Sequence, residues 1–417
     1  MKTMKTHFTI IFLLLLGTML SAQNELTDYL VLAAENNPGL KAKFNEYQAE
    51  LERIPQISGL PDPSISFAYF INPVETRVGP QQAKVSVNQM FPWFGTLGAR
   101  SEAATEMARV KYEAFLEEKS RLYYEVSSTY YNIYFMQKAI RITDENINIL
   151  NTFKELALIK LEAGLASAVD ELRVEMEVAD LENQLAYMQD TKDVLEVQFN
   201  DLLNVQDTAD ILIPDTLWEE NLLLSKEDIM DSIALNNHTI RQLEHKMRSW
   251  QEQETAARRT GAPNISIGLD YIFVGQSDNP TLESSENGKD AFIFPKIGLT
   301  IPLYRKKYSA MVNEATFRME AVQFEQADKK NELSTLFEKA FRDHRDADRR
   351  IELYRGQTKL ANSSLNILIS AYSSDGADFE EVLRMERKLL KYALELDKAR
   401  ADKNASTAFV NYLTGKY

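Results

Sequence analysis

The chain contains no cysteine, only four histidines, and no long hydrophobic run beyond its first residues. The absence of cysteine excludes disulfides, thiolate metal sites and a cysteine nucleophile. The sequence also contains no glycine-rich phosphate loop and no serine nucleophile elbow. His238 and His245 are better interpreted as polar surface residues than as a metal pair. We therefore expect a protein that is not an enzyme and that has no catalytic residues, cofactor or metal site.

The first residues have the pattern of an export signal. Lys2 and Lys5 precede the apolar run from Phe8 to Leu16, and Ser21-Ala22 offers small residues for cleavage. The run is shorter than the ~20 residues that a membrane-spanning helix needs. We expect residues 1–22 to be a removed signal peptide, with an uncleaved membrane anchor as the alternative. Every later apolar run is interrupted by charges, so any membrane-embedded part is expected to consist of β-strands.

Acidic residues outnumber basic ones by 62 to 47, which gives a net charge of −15. Such a charge disfavours the phosphate backbone of nucleic acids as a partner. Hydrophobic residues make up 44% of the chain, so the acidity does not by itself indicate disorder. We expect a folded protein that does not bind nucleic acid.

The chain contains two copies of one pattern, offset by roughly two hundred residues. Leu32–Pro38 resembles Ser232–His238, and Ser58–Pro61 resembles Thr260–Pro263. In each copy a strand pair and a very long helical stretch follow. The predicted boundaries are a first repeat at 23–206, a linker at 207–221 and a second repeat at 222–417.

The helical stretches are long and carry a coiled-coil pattern. Residues from about 98 to 160 contain no proline and no internal glycine, and apolar residues recur from Val126 to Ala157 at steps of three, four and seven. At 1.5 Å per residue this stretch reaches about 95 Å. A glycine, Gly164 or Gly376, then interrupts the pattern before a second helix in each copy. We expect antiparallel helices of matched length joined by these two turns.

Four short segments have the periodicity of a β-strand, in which apolar and polar residues alternate. This alternation is typical of a transmembrane β-barrel, and an ordinary half-buried sheet is the alternative. Because the smallest membrane barrels have about eight strands and lipid does not tolerate open sheet edges, four strands require partners from other chains. We therefore expect an oligomer. The alternating segments are Ser64–Ile71, Lys84–Gln89, Asn264–Phe273 and Lys296–Ile301.

Several motifs resemble the TolC-type outer-membrane efflux proteins, and the resemblance covers nearly the whole chain after residue 22. Glu35-Asn36-Asn37-Pro38 is similar to the family's opening helix, and Leu60-Pro61-Asp62-Pro63 to the lead into its first strand. Gln89–Gly95 resembles the strand-to-helix corner of the heavy-metal efflux branch. Gly164–Ser167, with Asp170, resembles the first inter-helix turn; the second turn, from Tyr372 to Leu383, is one residue shorter.

The resemblance implies a mainly α fold with a small β part. Three chains would contribute four strands each to a twelve-stranded barrel in the outer membrane of a Gram-negative bacterium, and the helices would form an α-barrel in the periplasm. A periplasmic adaptor and an inner-membrane transporter of the proton-driven RND type would complete a pump for drugs or metal ions. Because the chain lacks cysteine, no lipid anchor is expected. The alternatives are the duct of a type I protein secretion system and a periplasmic coiled-coil scaffold without a channel.

Three groups of residues are candidates for functional sites. Acids beside the turns would surround the threefold axis at the periplasmic entrance, where rings of acids attract cations; a solvated helix start is the alternative. The turns themselves would dock the adaptor, and aromatic residues at the strand ends would lie at the membrane interface. The entrance acids are Asp375, Asp378, Glu380, Glu381 and Asp170; the turn residues are Gly164, Ser167 and Gly376; the interface aromatics are Trp93, Phe91, Phe94 and Tyr304.

Overall fold

The computed structural model describes residues 25–164, 167–206, 211–278, 283–374 and 378–416, without the side chains of residues 293–295. The predicted signal peptide, the start of the predicted linker, Asp375 and Gly376 lie outside the described residues. The described part is mainly helical with one small antiparallel sheet, as the sequence predicts.

The helices include two of 67 and 69 residues, which correspond to the two long stretches predicted from the coiled-coil pattern. No helix within the described residues is both long and apolar enough to cross a membrane. The helices are α1 (25–36), α2 (Pro38–Ser58), α3 (Thr96–Glu162), α4 (Ala168–Leu203), α5 (Lys226–Asn236), α6 (His238–Thr260), α7 (Arg305–Ser373) and α8 (Phe379–Leu413).

The four strands form one sheet in the order β1-β2-β3-β4, with every neighbouring pair antiparallel. The predicted strands occur in the right places but are too short. In β1 the alternation of apolar and polar residues ends near Ile71, but backbone pairing with β2 continues to Thr76. A register shift between Tyr69 and Val74 accommodates Pro73. The strands are β1 (Ser64–Thr76), β2 (Gly79–Phe91), β3 (Asn264–Val274) and β4 (Ala291–Thr300).

The chain divides into two compact units, and each unit takes segments from both predicted repeats. The sheet and the helical segments next to it belong to the unit made of Phe44–Glu113 and Arg241–Asp328. The other unit contains Ala114–Ile240 and Lys329–Tyr417 together with the residues up to Lys43. The repeat boundaries themselves stay a prediction.

Two asparagines at matching positions of the predicted repeats make the same contacts. Asn37, between α1 and α2, donates from Nδ2 to the carbonyl of Leu202 (3.1 Å). Asn237, between α5 and α6, donates in the same way to the carbonyl of Leu413 (3.0 Å). Each side-chain oxygen also accepts from a backbone amide of the helix that follows. Each asparagine thus caps the start of one helix and the end of another.

The core of the larger unit consists of apolar clusters in which aromatic residues are prominent. Tyr130, Tyr131, Tyr134 and Phe199 are almost completely buried in one cluster. A second cluster packs the ends of α3 and α7 against α4 and α8, and includes Phe379. The buried residues of α4, such as Val174 and Leu181, follow the predicted coiled-coil spacing.

Candidate functional site

The register of the sheet places the alternating apolar residues of all four strands on one face. Val87 lies between Ile65 on β1 and Leu269 on β3, and Tyr271 lies between Val85 and Phe292. Because side chains alternate between the faces of a sheet, these pairings align the apolar sets of neighbouring strands. The apolar face comprises Ile65, Phe67, Tyr69, Val85, Val87, Ile267, Leu269, Tyr271, Phe273, Phe292, Ile297 and Leu299.

This apolar face is exposed rather than covered by the rest of the chain. Phe67 is 69% exposed, Tyr69 70% and Ile297 73%. A water-soluble sheet would bury such a face, since each large apolar side chain gains about 1.5–3 kcal/mol from burial. The exposed face therefore indicates contact with another apolar phase or another chain.

The opposite face of the sheet is mainly polar, with Ile272 as a buried apolar residue on it. Ser66, Ser86 and Asp270 follow one another across three strands, and Ser64, Asn88, Gly268 and Lys296 do so across four. Ser86 and Asp270 are buried, at 6% and 8% exposure. The sheet thus has one apolar and one polar face, as the alternation in the sequence predicts.

The outer edges of the sheet are open. Within the described residues β1 pairs only with β2, and β4 pairs only with β3. An open edge presents backbone donors and acceptors that bind further strands. Both edges of the sheet can therefore accept a further strand.

The predicted interface aromatics lie where β2 and β4 end. Phe91 is the last residue of β2, and Trp93 and Phe94 follow it with ring centroids 5.7 Å apart. Phe94 is 77% exposed and Tyr304 84%. Their exposure is compatible with a membrane interface, and this role stays a prediction.

Gly95 shapes the corner between β2 and α3. Its φ of 74° lies in the left-handed region, and a Cβ at this position would collide with the guanidinium of Arg259. That guanidinium donates a hydrogen bond to the Gly95 carbonyl (2.6 Å). The left-handed backbone of this corner therefore favours glycine.

The two hairpin turns begin their second helices in the same way. Gly164 has a φ of 73°, and Ser167 caps α4 by accepting a hydrogen bond from the amide of Val169 (3.2 Å). Asp378 caps α8 by accepting from the amide of Glu380 (3.0 Å). Asp378 therefore has a structural role as a helix cap, whereas Asp375 and Gly376 lie outside the described residues.

Most of the predicted entrance acids have arginine partners. Arg173 on α4 contacts Asp170 (3.6 Å) and, across to α8, Glu380 (3.7 Å). Arg387 on α8 contacts Glu380 (3.2 Å) and, across to α4, Glu177 (3.7 Å). These five residues form an ion-pair network that connects the starts of α4 and α8, and we call it the hairpin network.

Glu381 lies outside the hairpin network, because its arginine partner forms no ion pair with α4 within the described residues. Arg384, three residues further along α8, contacts it at 3.3 Å. Such a pair stabilises the helix weakly and connects nothing else. Whether any of these acids lines an entrance stays a prediction.

Lys160 is a residue of this region that sequence reasoning missed. It is buried, with 8% exposure, and its ammonium donates to the carbonyl of Tyr372 and lies over the ring of that residue. Lys160 is near the end of α3 and Tyr372 near the end of α7. A cation suits the carbonyl-rich end of a helix. The two long helices are therefore joined just before their turns.

Glu386 is the second residue that sequence reasoning missed. It is 1% exposed, and Asn146 on α3 donates to its Oε1 at 2.6 Å. Its Oε2 is buried and accepts no hydrogen bond within the described residues. Burial raises the pKa of this carboxyl above its ordinary value. Its position four residues after Val382 in the apolar pattern of α8 was the available signal.

We predict that Glu386→Gln flattens the pH dependence of stability. A carboxyl whose pKa is raised by folding stabilises the folded state fully below its unfolded pKa, and this contribution is lost as pH rises through the folded pKa. The free energy of unfolding should therefore fall less for the variant than for the wild type above about pH 4.3, the ordinary pKa of glutamate. Urea titrations of both proteins between pH 4 and 8 measure this. Parallel stability curves would contradict it.

The two histidines considered as surface residues are in fact contact residues. His238 is 5% exposed, and Nδ1 of His245 lies 2.6 Å from Glu106 Oε2. The surface interpretation was wrong because both lie on the packed side of α6. No cluster of three or more potential metal-ligating side chains occurs among the described residues.

Comparison with solved structures assigns the fold, which is that of TolC-type outer-membrane channels. VceC, an outer membrane protein of Vibrio cholerae, matches with a TM-score of 0.75 at 14% identity over 95% of this chain and 98% of its own. CusC matches with a TM-score of 0.74 at 18% identity over 94% and 92%. The outer-membrane channel OprN matches with 0.76 at 14% identity over 94% and 90%. Neither a family model nor a curated protein sequence matches the chain.

Proposed function

We propose that this chain is the outer-membrane exit duct of a tripartite efflux pump, which passes drugs or metal ions from the periplasm to the exterior. The observation that supports this most directly is the sheet, with one exposed apolar face, one polar face and two open edges. A lipid-facing barrel needs this combination, because its outside contacts hydrocarbon and its inside contacts water. The fold shared with solved outer-membrane channels is consistent with it.

The active form is a homotrimer. Three copies of the four-stranded sheet would join β1 of one chain to β4 of the next and close a twelve-stranded barrel. Closure satisfies the open backbone groups of both edges, which lipid cannot do. The exposed apolar residues would then face lipid, and Trp93, Phe94 and Tyr304 would lie at the membrane interface.

The helices would form the periplasmic part of the duct. The hairpin turns at Gly164 and Gly376 would form the entrance of the duct and bind a periplasmic adaptor. An inner-membrane transporter of the RND type would supply the energy. The hairpin network would hold the starts of α4 and α8 together at this entrance. The likeness of residues 89–95 to the heavy-metal branch favours a metal or drug pump over a protein-secretion duct and stays a prediction.

We predict a trimer that is stable in detergent. The mass of the purified protein, measured by light scattering with correction for bound detergent, should equal three chains of 47.7 kDa less the removed signal. Purification from the membrane fraction tests the location in the same experiment. A stable monomer recovered from the soluble periplasm would contradict both the barrel and the channel, and would support the coiled-coil scaffold.

Neither alternative is favoured over small-solute efflux by the described contacts. A soluble scaffold leaves the exposed apolar face of the sheet unexplained. A type I secretion duct would share every feature described above, and no contact in the described residues favours protein cargo over small solutes. We therefore retain small-solute efflux as the proposed function.

A further inference from the structure

Three charged residues of the sheet meet on its polar face. Lys84 on β2 and Lys296 on β4 lie on either side of Asp270 on β3. The ammonium of Lys84 is 3.4 Å from Asp270 Oδ2, and that of Lys296 is 3.5 Å from Oδ1. The register explains the geometry, since Asp270 is paired directly with Ser86 and each lysine lies diagonally across from it. We call these residues the sheet trio.

The charges of the sheet trio do not cancel. One carboxylate faces two ammonium groups, so the sheet trio itself carries one excess positive charge, while the four strands as a whole are neutral once Glu75 is counted. The side chain of Asp270 is only 11% exposed, whereas that of Lys296 is 50% exposed and presents its charge to solvent. Among the residues of the four strands, the remaining charge is Glu75, which lies beside the turn between β1 and β2.

A purely structural role accounts for one lysine but not for both. One ammonium group neutralises Asp270, and a second adds a charge that remains partly uncompensated. The overall charge of the chain is −15, so an excess of positive charge on this face also runs against the general composition. The second lysine therefore adds a positive potential to the face beyond what the neutralisation of Asp270 needs.

We propose that the sheet trio gives the lumen of the barrel a preference for anionic solutes. The inference rests on the proposed channel function. In a trimer the polar face lines the lumen, and three copies of the trio form a belt with three excess positive charges. Rings of like charge select ions of the opposite sign in pores. The Debye length of ~10 Å at 0.1 M salt lets this belt act across much of the lumen, whereas ~3 Å at 1 M does not.

The test is the ion selectivity of purified trimers in planar bilayers under a KCl gradient. Relative to the wild type, Asp270→Asn should raise the permeability ratio of chloride to potassium about twofold near 0.1 M salt, and Lys296→Gln should lower it about twofold. Lys84→Gln should repeat the Lys296→Gln shift and replaces that variant if it does not assemble. All shifts should disappear at 1 M salt.

Lys296→Arg is the matched control, because it keeps the charge and should leave the ratio unchanged. The opposite signs expected for Asp270→Asn and Lys296→Gln distinguish a field effect from general damage to the barrel. Conducting trimers whose selectivity does not change, or changes in the same direction for both variants, would overturn the role of the sheet trio and leave the channel intact. A wild-type protein that does not conduct would overturn the channel itself, and the proposal with it.

Discussion

Replacing Leu269 by Arg is expected to abolish assembly in the outer membrane. Leu269 lies on the apolar face of the sheet, paired with Val87, and should contact lipid near the middle of β3. An Arg at the bilayer midplane of a barrel costs about 2–4 kcal/mol, and a trimer carries the substitution three times. The measurement is the fraction of protein in the outer membrane that resists dissociation to monomers in mild detergent.

Ser266→Arg is the matched control for this prediction. Ser266 lies on the same strand as Leu269 and is half-buried like it, but it belongs to the polar face, where it pairs with Met90 and Gly298. Its arginine would point into a water-filled lumen, so most of the protein should still assemble. Equal loss for both variants would show that the two faces of the sheet are assigned wrongly.

Reversing both arginines of the hairpin network, Arg173→Glu with Arg387→Glu, is expected to raise single-channel conductance several-fold. The change converts every contact of the network into a repulsion, including the two that bridge α4 and α8. Exposed pairs contribute about 0.2–1 kcal/mol each, so the two that bridge α4 and α8 amount to about 0.4–2 kcal/mol. A difference of about 1.4 kcal/mol already shifts an equilibrium between closed and open entrances tenfold.

Arg384→Glu provides the control for the network. It introduces the same charge change on α8, but Arg384 contacts only Glu381 of the same helix among its ion pairs in the described residues. The conductance of the Arg384→Glu variant should match that of the wild type. If the double variant also conducts like the wild type, the hairpin network does not hold the entrance closed, and a lower conductance would reverse its assigned role.

The strands show which features of the sheet can be predicted from the alternation of residues alone. The alternation in residues 264–273 predicts both a strand and the face that each side chain occupies, because successive side chains of a strand point to opposite sides. It does not predict that the apolar face is left uncovered or that the edges at β1 and β4 are open, since both depend on what the rest of the chain packs against. Those two observations carry the proposed function.

The acids beside the turns have contacts that could not be predicted from the sequence pattern. Their number and position are visible in the sequence, and they suggested a ring of bare carboxylates. In the structure Asp378 caps α8, and Arg173 and Arg387 lie between Glu380 and the acids of α4. Whether these acids also line an entrance stays a prediction. An ion pair between α4 and α8 joins residues about two hundred positions apart, and sequence spacing contains no information about such a contact.

The sequence by itself determined the long helices, the four strands, the turn at Gly164 and the resemblance to outer-membrane channels. These features arise from local backbone preference and from the spacing of apolar residues along one element. Only the tertiary structure decided that Lys160 joins α3 to α7, that Glu386 is buried against Asn146, and that two lysines share Asp270. The physical reason is that a buried or paired charge is defined by its neighbours in space, and those neighbours come from elements far apart in the chain.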